Sequence, residues 1–174
     1  TEDSTAGADF LSEVCREWEA AAEPARAAGI RIVHLRIGVV LSAEGGALAK
    51  MLTPFRMGAG GRVGSGRQYM SWIALDDVVG VIRRALEDES ISGPVNTVAP
   101  RPVTNDEFTK TLGRVLGRPT LFPVPAFAVK LAFGEMGEAL LLSSARVEPQ
   151  RLREMGYEFA YPELEGALRH VLSK

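Results

Sequence analysis

The sequence predicts an α/β fold with a few, mainly parallel strands flanked by helices, and three observations predict it. Stretches with apolar residues at three- and four-residue spacing alternate with short β-branched runs, the order that builds strand–helix–strand units. Residues Ile30 to Leu41 are almost continuously apolar, as expected of a parallel strand covered on both faces. The chain has 174 residues, 46% hydrophobic and 24% charged, the size and composition of one soluble domain with a sizeable core.

The elements follow in order. Phe10, Leu11, Val14, Cys15, Trp18, Ala21, Ala22 and Ala25 share one face of a helix from Phe10 to Ala25, with Asp9 placed to cap it and Pro24 to kink or restart it. Gly29 suits a helix C-terminus, and the Ile30–Leu41 strand comes next. Leu48, Met51, Leu52 and Phe55 mark a short helix. The stretch Gly58-Ala-Gly-Gly-Arg-Val-Gly-Ser-Gly66 holds five glycines and is expected to be a mobile loop, with regular structure resuming near Met70. Asp76 or Asp77 can cap a helix whose inward stripe is Val78, Val79, Ile82, Ala85 and Leu86, and Ser92-Gly-Pro94 turns the chain into a strand from Val95 to Ala99. Thr104-Asn-Asp-Glu107 is a capping box for a helix carrying Phe108, Leu112, Val115 and Leu116 and stopping at Gly117. Leu121 to Val124 suits a short edge strand, since Pro123 has no N–H to donate. Helices from Ala126 to Phe133 and from Pro149 to Met155, an alternating Tyr157, Phe159 and Tyr161, and a helix with Pro162 in its first turn complete the chain. That last helix turns Leu164, Ala167, Leu168, Val171 and Leu172 inward. Three or four strands are fewer than the five or more of a doubly wound sheet, which predicts part of a larger α/β protein.

Composition removes several function classes. Twenty Lys and Arg against twenty-two Asp and Glu give a net charge of −2, so no global positive field draws in nucleic acid or an anionic membrane. Cys15 is the one cysteine, which excludes an internal disulfide and makes the cytoplasm the expected compartment. The longest apolar runs fall far short of the roughly 18 residues of a membrane span. Thr1-Glu-Asp-Ser4 has neither an initiator Met nor a signal-peptide pattern, and it reads as a chain joined partway along.

Candidate chemistry is sparse. The glycine stretch misses both phosphate-binding fingerprints: Val63 stands where G-x-G-x-x-G needs its third glycine, and Arg67 and Gln68 stand where a P-loop has Lys and Ser or Thr. His34 and His170 have no second ligand at metal spacing, so no metal site is expected. Cys15 lies on an apolar stripe and is expected to pack in the core, and the Asp76-Asp77 pair suits helix capping better than catalysis. Arg36, at the end of a parallel strand, faces the crevice where α/β proteins bind ligands, with a structural ion pair as the equal alternative.

Taken in order, Arg36-Ile-Gly-Val-Val-Leu41, Gly64-Ser-Gly66-Arg-Gln68 and Trp72-Ile-Ala-Leu-Asp-Asp-Val78 resemble the C-terminal half of extended short-chain dehydrogenase/reductases, the superfamily of sugar-nucleotide epimerases and dehydratases. Further phrases resemble one subfamily, labelled nucleoside-diphosphate-sugar epimerase or SulA-like cell-division inhibitor: Thr1-Glu-Asp-Ser4, Trp18-Glu19, Gly45 to Leu52, Pro54-Phe-Arg56, Ser71-Trp-Ile73, Val103-Thr-Asn105 and Pro149-Gln-Arg-Leu152. The resemblance covers nearly the whole chain. It implies the last part of a Rossmann-like sheet with a substrate-side loop over residues 1–99, a mostly helical substrate or cap region over 100–174, and a nucleotide-binding half that this chain does not contain.

The resemblance also implies NADP(H) as cofactor of the complete protein, with this chain alone binding it poorly. Arg36, Gly38, Val39 and Val40 would lie on the cofactor side, Val40 foremost. Lys50, Arg56, Arg67, Gln68 and Trp72 would lie on the substrate side. The superfamily's Tyr-x-x-x-Lys pair would fall on Leu11 and Cys15 if Glu19 is the Glu that follows it, so the catalytic residues stay unassigned. Where many sugar-nucleotide enzymes carry an arginine two residues after the Gln, Met70 stands. The readings are therefore the substrate-domain half of an NADP(H)-dependent epimerase or reductase acting on a nucleotide sugar or other small polar substrate, or a non-catalytic nucleotide-sensing or partner-binding protein. A third is an interaction domain that uses apolar surface left bare by absent strands. The expected partner is a small molecule, with no nucleic acid or membrane and with self-association open.

Overall fold

The apolar run from Ile30 to Leu41 folds as two strands, because its hydrogen-bonding partner changes at Gly38. In the computed structural model, which describes residues 1–125 and 143–173, strand β1 (Val33–Ile37) runs parallel to β5 (Gly93–Thr97), with Val33 opposite Gly93 and Ile37 opposite Thr97. Strand β2 (Val39–Leu41) runs parallel instead to β4 (Trp72–Ala74), and β3 (Tyr69–Met70) pairs antiparallel with β6 (Val103–Thr104). A Cβ on Gly38 would lie 2.6 Å from the Ser71 carbonyl oxygen and 2.8 Å from a Val98 methyl, so this crossing needs a residue without a side chain. The helix expected from Ala126 to Phe133 lies outside the described residues.

The first helix is divided as well. Asp9 starts α1 (Phe10–Ala20), its Oδ1 accepting the Ser12 N–H at 2.8 Å, and Pro24 opens a separate α2 (Glu23–Ala27). Neither helix buries a single residue. Phe10 is 75% and Trp18 81% exposed, and Cys15 is exposed rather than packed in a core, since no described element lies against that face. Strand β1 consequently lacks the two-sided cover its composition predicts. Arg36 and Ile37 are exposed, and β5 is the one strand beside β1 among the described residues.

Burial is concentrated elsewhere. Helices α3 (Gly46–Arg56), α5 (Asn105–Leu116) and α7 (Leu164–Leu172) close around β2 and β4, burying Leu48, Trp72, Phe108, Leu112 and Leu168 among others. Helix α5 is bounded as its sequence predicts. The Thr104 hydroxyl accepts the Glu107 N–H, the Glu107 carboxylate accepts the Thr104 N–H, and Gly117 ends the helix at φ +63°. A smaller cluster of Val81, Ile91, Val95 and Leu152 joins β5 to α4 (Leu75–Glu87) and α6 (Gln150–Glu154).

Helix α4 corrects its expected orientation. Val78, Val81 and Ala85 point inward, while Val79, Ile82 and Leu86, expected inside, form an exposed stripe with Leu75. Apolar residues occupy both sides of this helix, and only one side meets described structure. Neither aspartate caps α4, whose N-cap position is Ala74. Asp77 is buried, and its carboxylate accepts the Ala160 N–H at 2.7 Å and the Tyr161 N–H at 3.1 Å, which pins the approach to α7. The expected strand at 121–124 reduces to one bridge between Val124 and Val63, and the alternating Tyr157 and Phe159 meet edge to face at 4.9 Å.

The side of β5 away from β1 is closed by side chains. The buried Glu2 carboxylate accepts the Asn96 N–H at 3.0 Å, the Arg151 guanidinium donates to the carbonyls of Ser92 and Pro94, and Pro94 itself has no N–H. No described helix is long and apolar enough to cross a membrane.

Candidate functional site

Two places combine concave or switching backbone with polar groups. The first is the crossing at Gly38. Its N–H donates to the Thr97 carbonyl at 3.2 Å, while the next N–H, of Val39, donates to the Ser71 carbonyl at 2.8 Å. A change of strand partner at the carboxyl end of a parallel strand opens the crevice in which α/β sheets hold ligands. Val39 and Val40 are half-buried beside it. Arg36 is not a free cation there: its Nε and Nη2 form a two-pronged pair with Glu19 at 2.7 and 2.8 Å, and its Nη1 donates to the Glu2 carbonyl. That pair ties α1 to β1. The guanidinium holds the Glu19 carboxyl below the usual range, and Glu19 in turn raises the Arg36 guanidinium.

The second place is the glycine stretch, which is an ordered turn fastened to the start of α5. The Val63 N–H donates to the Asn105 side-chain oxygen at 2.7 Å, and Gly66 and Gln68 offer their carbonyls to the Asp106 and Asn105 N–H groups. The Gln68 side chain is buried and donates to the Val63 carbonyl at 2.9 Å. Its glycines serve close approach as much as conformational freedom. A Cβ on Gly61 would collide with the Phe122 carbonyl, and one on Gly60 with the Phe55 ring.

Beside the turn lies a hollow of about 430 Å³ lined by Arg62, Ser65, Gly66, Arg67, Tyr69, Thr104 and Asp106. Of the residues expected on the substrate side, only Arg67 lines it. Lys50 and Arg56 are exposed on α3 and line neither this hollow nor the smaller one beside it. Trp72 departs from expectation: it is fully buried in the main core, with its indole N–H donating to the Arg101 carbonyl at 3.1 Å, so it supports β4 and offers no face to a ligand. Arg62, Tyr69, Thr104 and Asp106 were not legible as site residues. The β3–β6 pairing, which sets Tyr69 opposite Thr104, assembles them from distant parts of the chain.

A third group of polar side chains joins α4 to α7. The His170 ring stacks on Tyr161 with centroids 4.2 Å apart, and its Nε2 lies 2.9 Å from the Asp76 carboxylate. Burial pushes the neighbouring Asp77 carboxyl up, against the two backbone donors that favour its charged form. Among the described residues no three His, Cys, Asp or Glu side chains gather as a metal would require. Leu11 and Cys15 stand exposed on α1.

Residues 124–171 match the family model described as a domain of unknown function, DUF1731. The chloroplastic epimerase family protein SDR39U1 homolog of Arabidopsis thaliana is 47% identical over 98% of this chain and 49% of its own length. The crystal structure of human epimerase family protein SDR39U1 (isoform 2) with NADPH superposes with a TM-score of 0.91 at 40% identity, covering 99% of this chain and 59% of that one. The nucleoside-diphosphate sugar epimerase of Corynebacterium glutamicum gives a TM-score of 0.80 at 39% identity, over 98% of this chain and 32% of its own. The chain therefore spans about half the length of the curated relatives it matches.

Proposed function

We propose, from the premise that this chain has the sequence and fold of the C-terminal half of an epimerase family protein, that it is the substrate-side half of an NADP(H)-dependent epimerase or reductase. The observation that carries the reading is the partner switch at Gly38, where backbone without a side chain meets the ligand-binding edge of a parallel sheet. The fit to the cofactor is partial. Gly38, Val39 and Val40 suit the nicotinamide end, through backbone atoms and a dry wall. The glycine turn follows α3 instead of opening a helix after a strand, so it does not fit a dinucleotide pyrophosphate.

When bound, the nicotinamide supplies hydride transfer. This chain's own residues then bind and orient the substrate, a nucleotide sugar or another small polar molecule. Arg67 on the turn supplies a cation for its anionic groups, while Gln68 and Trp72 act from beneath by holding the turn and β4 in place. The edge of β1 that has no neighbouring strand among the described residues, with the exposed apolar sides of α1 and α4, takes the nucleotide-binding half of a longer protein. The single cysteine suits a reducing compartment, and the location that goes with this reading is the cytoplasm.

Two measurements test the reading. Calorimetry on this chain alone is expected to show at most weak NADPH binding, and tight one-to-one binding would overturn the division of labour. The complete protein is expected to consume NADPH with members of a carbonyl and nucleotide-sugar panel, read as steady loss of nicotinamide absorbance. Binding without any turnover would favour the second reading, a nucleotide-sensing protein. What supports that alternative is that, with Glu19 taken as the Glu that follows the pair, the proton-transfer positions hold Leu11 and Cys15, and neither can stand in for a phenol or an ammonium.

A further inference from the structure

We propose that the hollow between the glycine turn and the start of α5 is a binding site for a phosphate group. Described arginines are mostly engaged: Arg36 holds Glu19, Arg114 and Arg169 share Glu165, and Arg31 and Arg151 donate to backbone carbonyls. Arg62 and Arg67 have no such partner among the described residues, and both line the same hollow. Two guanidinium groups on one concave surface repel each other until an anion comes between them, and their forked donors match the oxygens of a phosphate. The one carboxylate in the lining, Asp106, is held by Lys110 at 2.6 Å and neutralises neither arginine.

The surroundings favour the same ligand. Ser65 adds a hydroxyl to the lining, and the Arg146 guanidinium, paired with Glu148 at 3.7 Å, stands 5.4 Å from the centre of the Tyr69 ring. The turn is fastened to Asn105 and Asp106 by backbone and side-chain hydrogen bonds, so the two arginines project from fixed backbone and little ordering is needed on binding. Gly66, at φ +71°, keeps the floor open, and a Cβ there would lie 3.3 Å from Arg62 Cδ. This deepens the reading above, on which it rests only for the claim that the bound phosphate belongs to a substrate. The binding itself is independent of nicotinamide chemistry.

The test titrates the chain, at low ionic strength, with inorganic phosphate and in parallel with uridine monophosphate, following backbone amide shifts and binding heat. Saturable shifts are expected at residues 64–69 and 104–106. Arg62→Ala and Arg67→Ala should each weaken binding by about tenfold, Arg67→Lys by less, and the double variant should abolish it, whereas Arg83→Ala on α4 should change nothing. Both arginines are exposed, so their variants should keep the parent's circular dichroism. Tighter binding of the nucleotide assigns the site to a phosphorylated substrate, and equal binding assigns it to free phosphate. Shifts that never saturate, or saturable binding that survives in the double variant, overturn the proposal. Phosphate binding here beside a complete protein that consumes no NADPH leaves the site standing and removes the enzyme reading.

Discussion

The region around Trp72 and the region around Trp18 contain the same kinds of residue and come to opposite ends. Trp72 is fully buried between α3, α5 and α7, whereas Trp18 is 81% exposed on a helix that buries nothing. Helix α4 shows the contrast within one element, with Val78, Val81 and Ala85 inside and Leu75, Val79, Ile82 and Leu86 outside. An amphipathic stripe states that a face needs a partner without naming it. On one side of this chain described helices and strands supply the partner, and on the other no described element covers the face.

Substitution should expose that difference most sharply. Phe108→Ala is expected to cost about 3–5 kcal/mol in urea unfolding, because it empties a site closed on every side. Trp18→Ala is expected to stay within about 0.5 kcal/mol of the parent. Equal costs for the two would mean that α1 packs against structure in solution, and the contrast would dissolve.

The border between the regions comes next in size. Gly38→Ala forces a methyl against the Ser71 carbonyl and should destabilise by about 1–3 kcal/mol, while Gly29→Ala, with open space around it, carries only the cost of a positive φ. A neutral Gly38→Ala would show that the strands can separate there at little cost.

Titration should give the smallest differences, with opposite signs in the two regions. Asp77, on the closed side, has its carboxyl raised by burial, so its contribution to stability is full below the ordinary carboxyl range and is lost as pH rises through the folded value. The stability of the parent relative to Asp77→Asn should therefore fall as pH rises from about 3 to 6. Glu19, on the open side, is lowered by Arg36, so its contribution is present above the ordinary range and disappears as pH drops through the folded value. Glu19→Gln should cost under about 1 kcal/mol at neutral pH, because both partners are partly solvated, and should cost nothing in acid. Parallel pH profiles for the two variants would remove the distinction.

What could be read from the sequence was local. The capping box at Thr104 and the stop at Gly117 are legible because all their partners lie within a few residues. The restart at Pro24 and the inward face of α7 are legible for the same reason. The division at Gly38 was hidden, since an apolar run carries no sign of which strand lies beside it. The glycine turn reads as mobile until Asn105, far along the chain, is seen to hold Val63. The site divides in the same way: Arg67 is visible beside its glycines, whereas Tyr69 and Thr104 become neighbours only through the β3–β6 pairing. The family resemblance implies a substrate-side Trp72, and its burial assigns it to the core.

The treatment of the two sheet edges has a consequence for how strands can be added. On the outer side of β5, Glu2 takes the Asn96 N–H, Arg151 takes the Ser92 and Pro94 carbonyls and Pro94 has no N–H to offer, while β1 keeps its row without a neighbouring strand among the described residues. The strip is stopped at one end. In this two-stranded strip a further strand, whether from the rest of a longer chain or from another copy, enters on the β1 side. Two copies meeting edge to edge through β1 would use up the open rows of both, so that route of association ends at a pair, whereas a growing fibre needs two open edges on every unit.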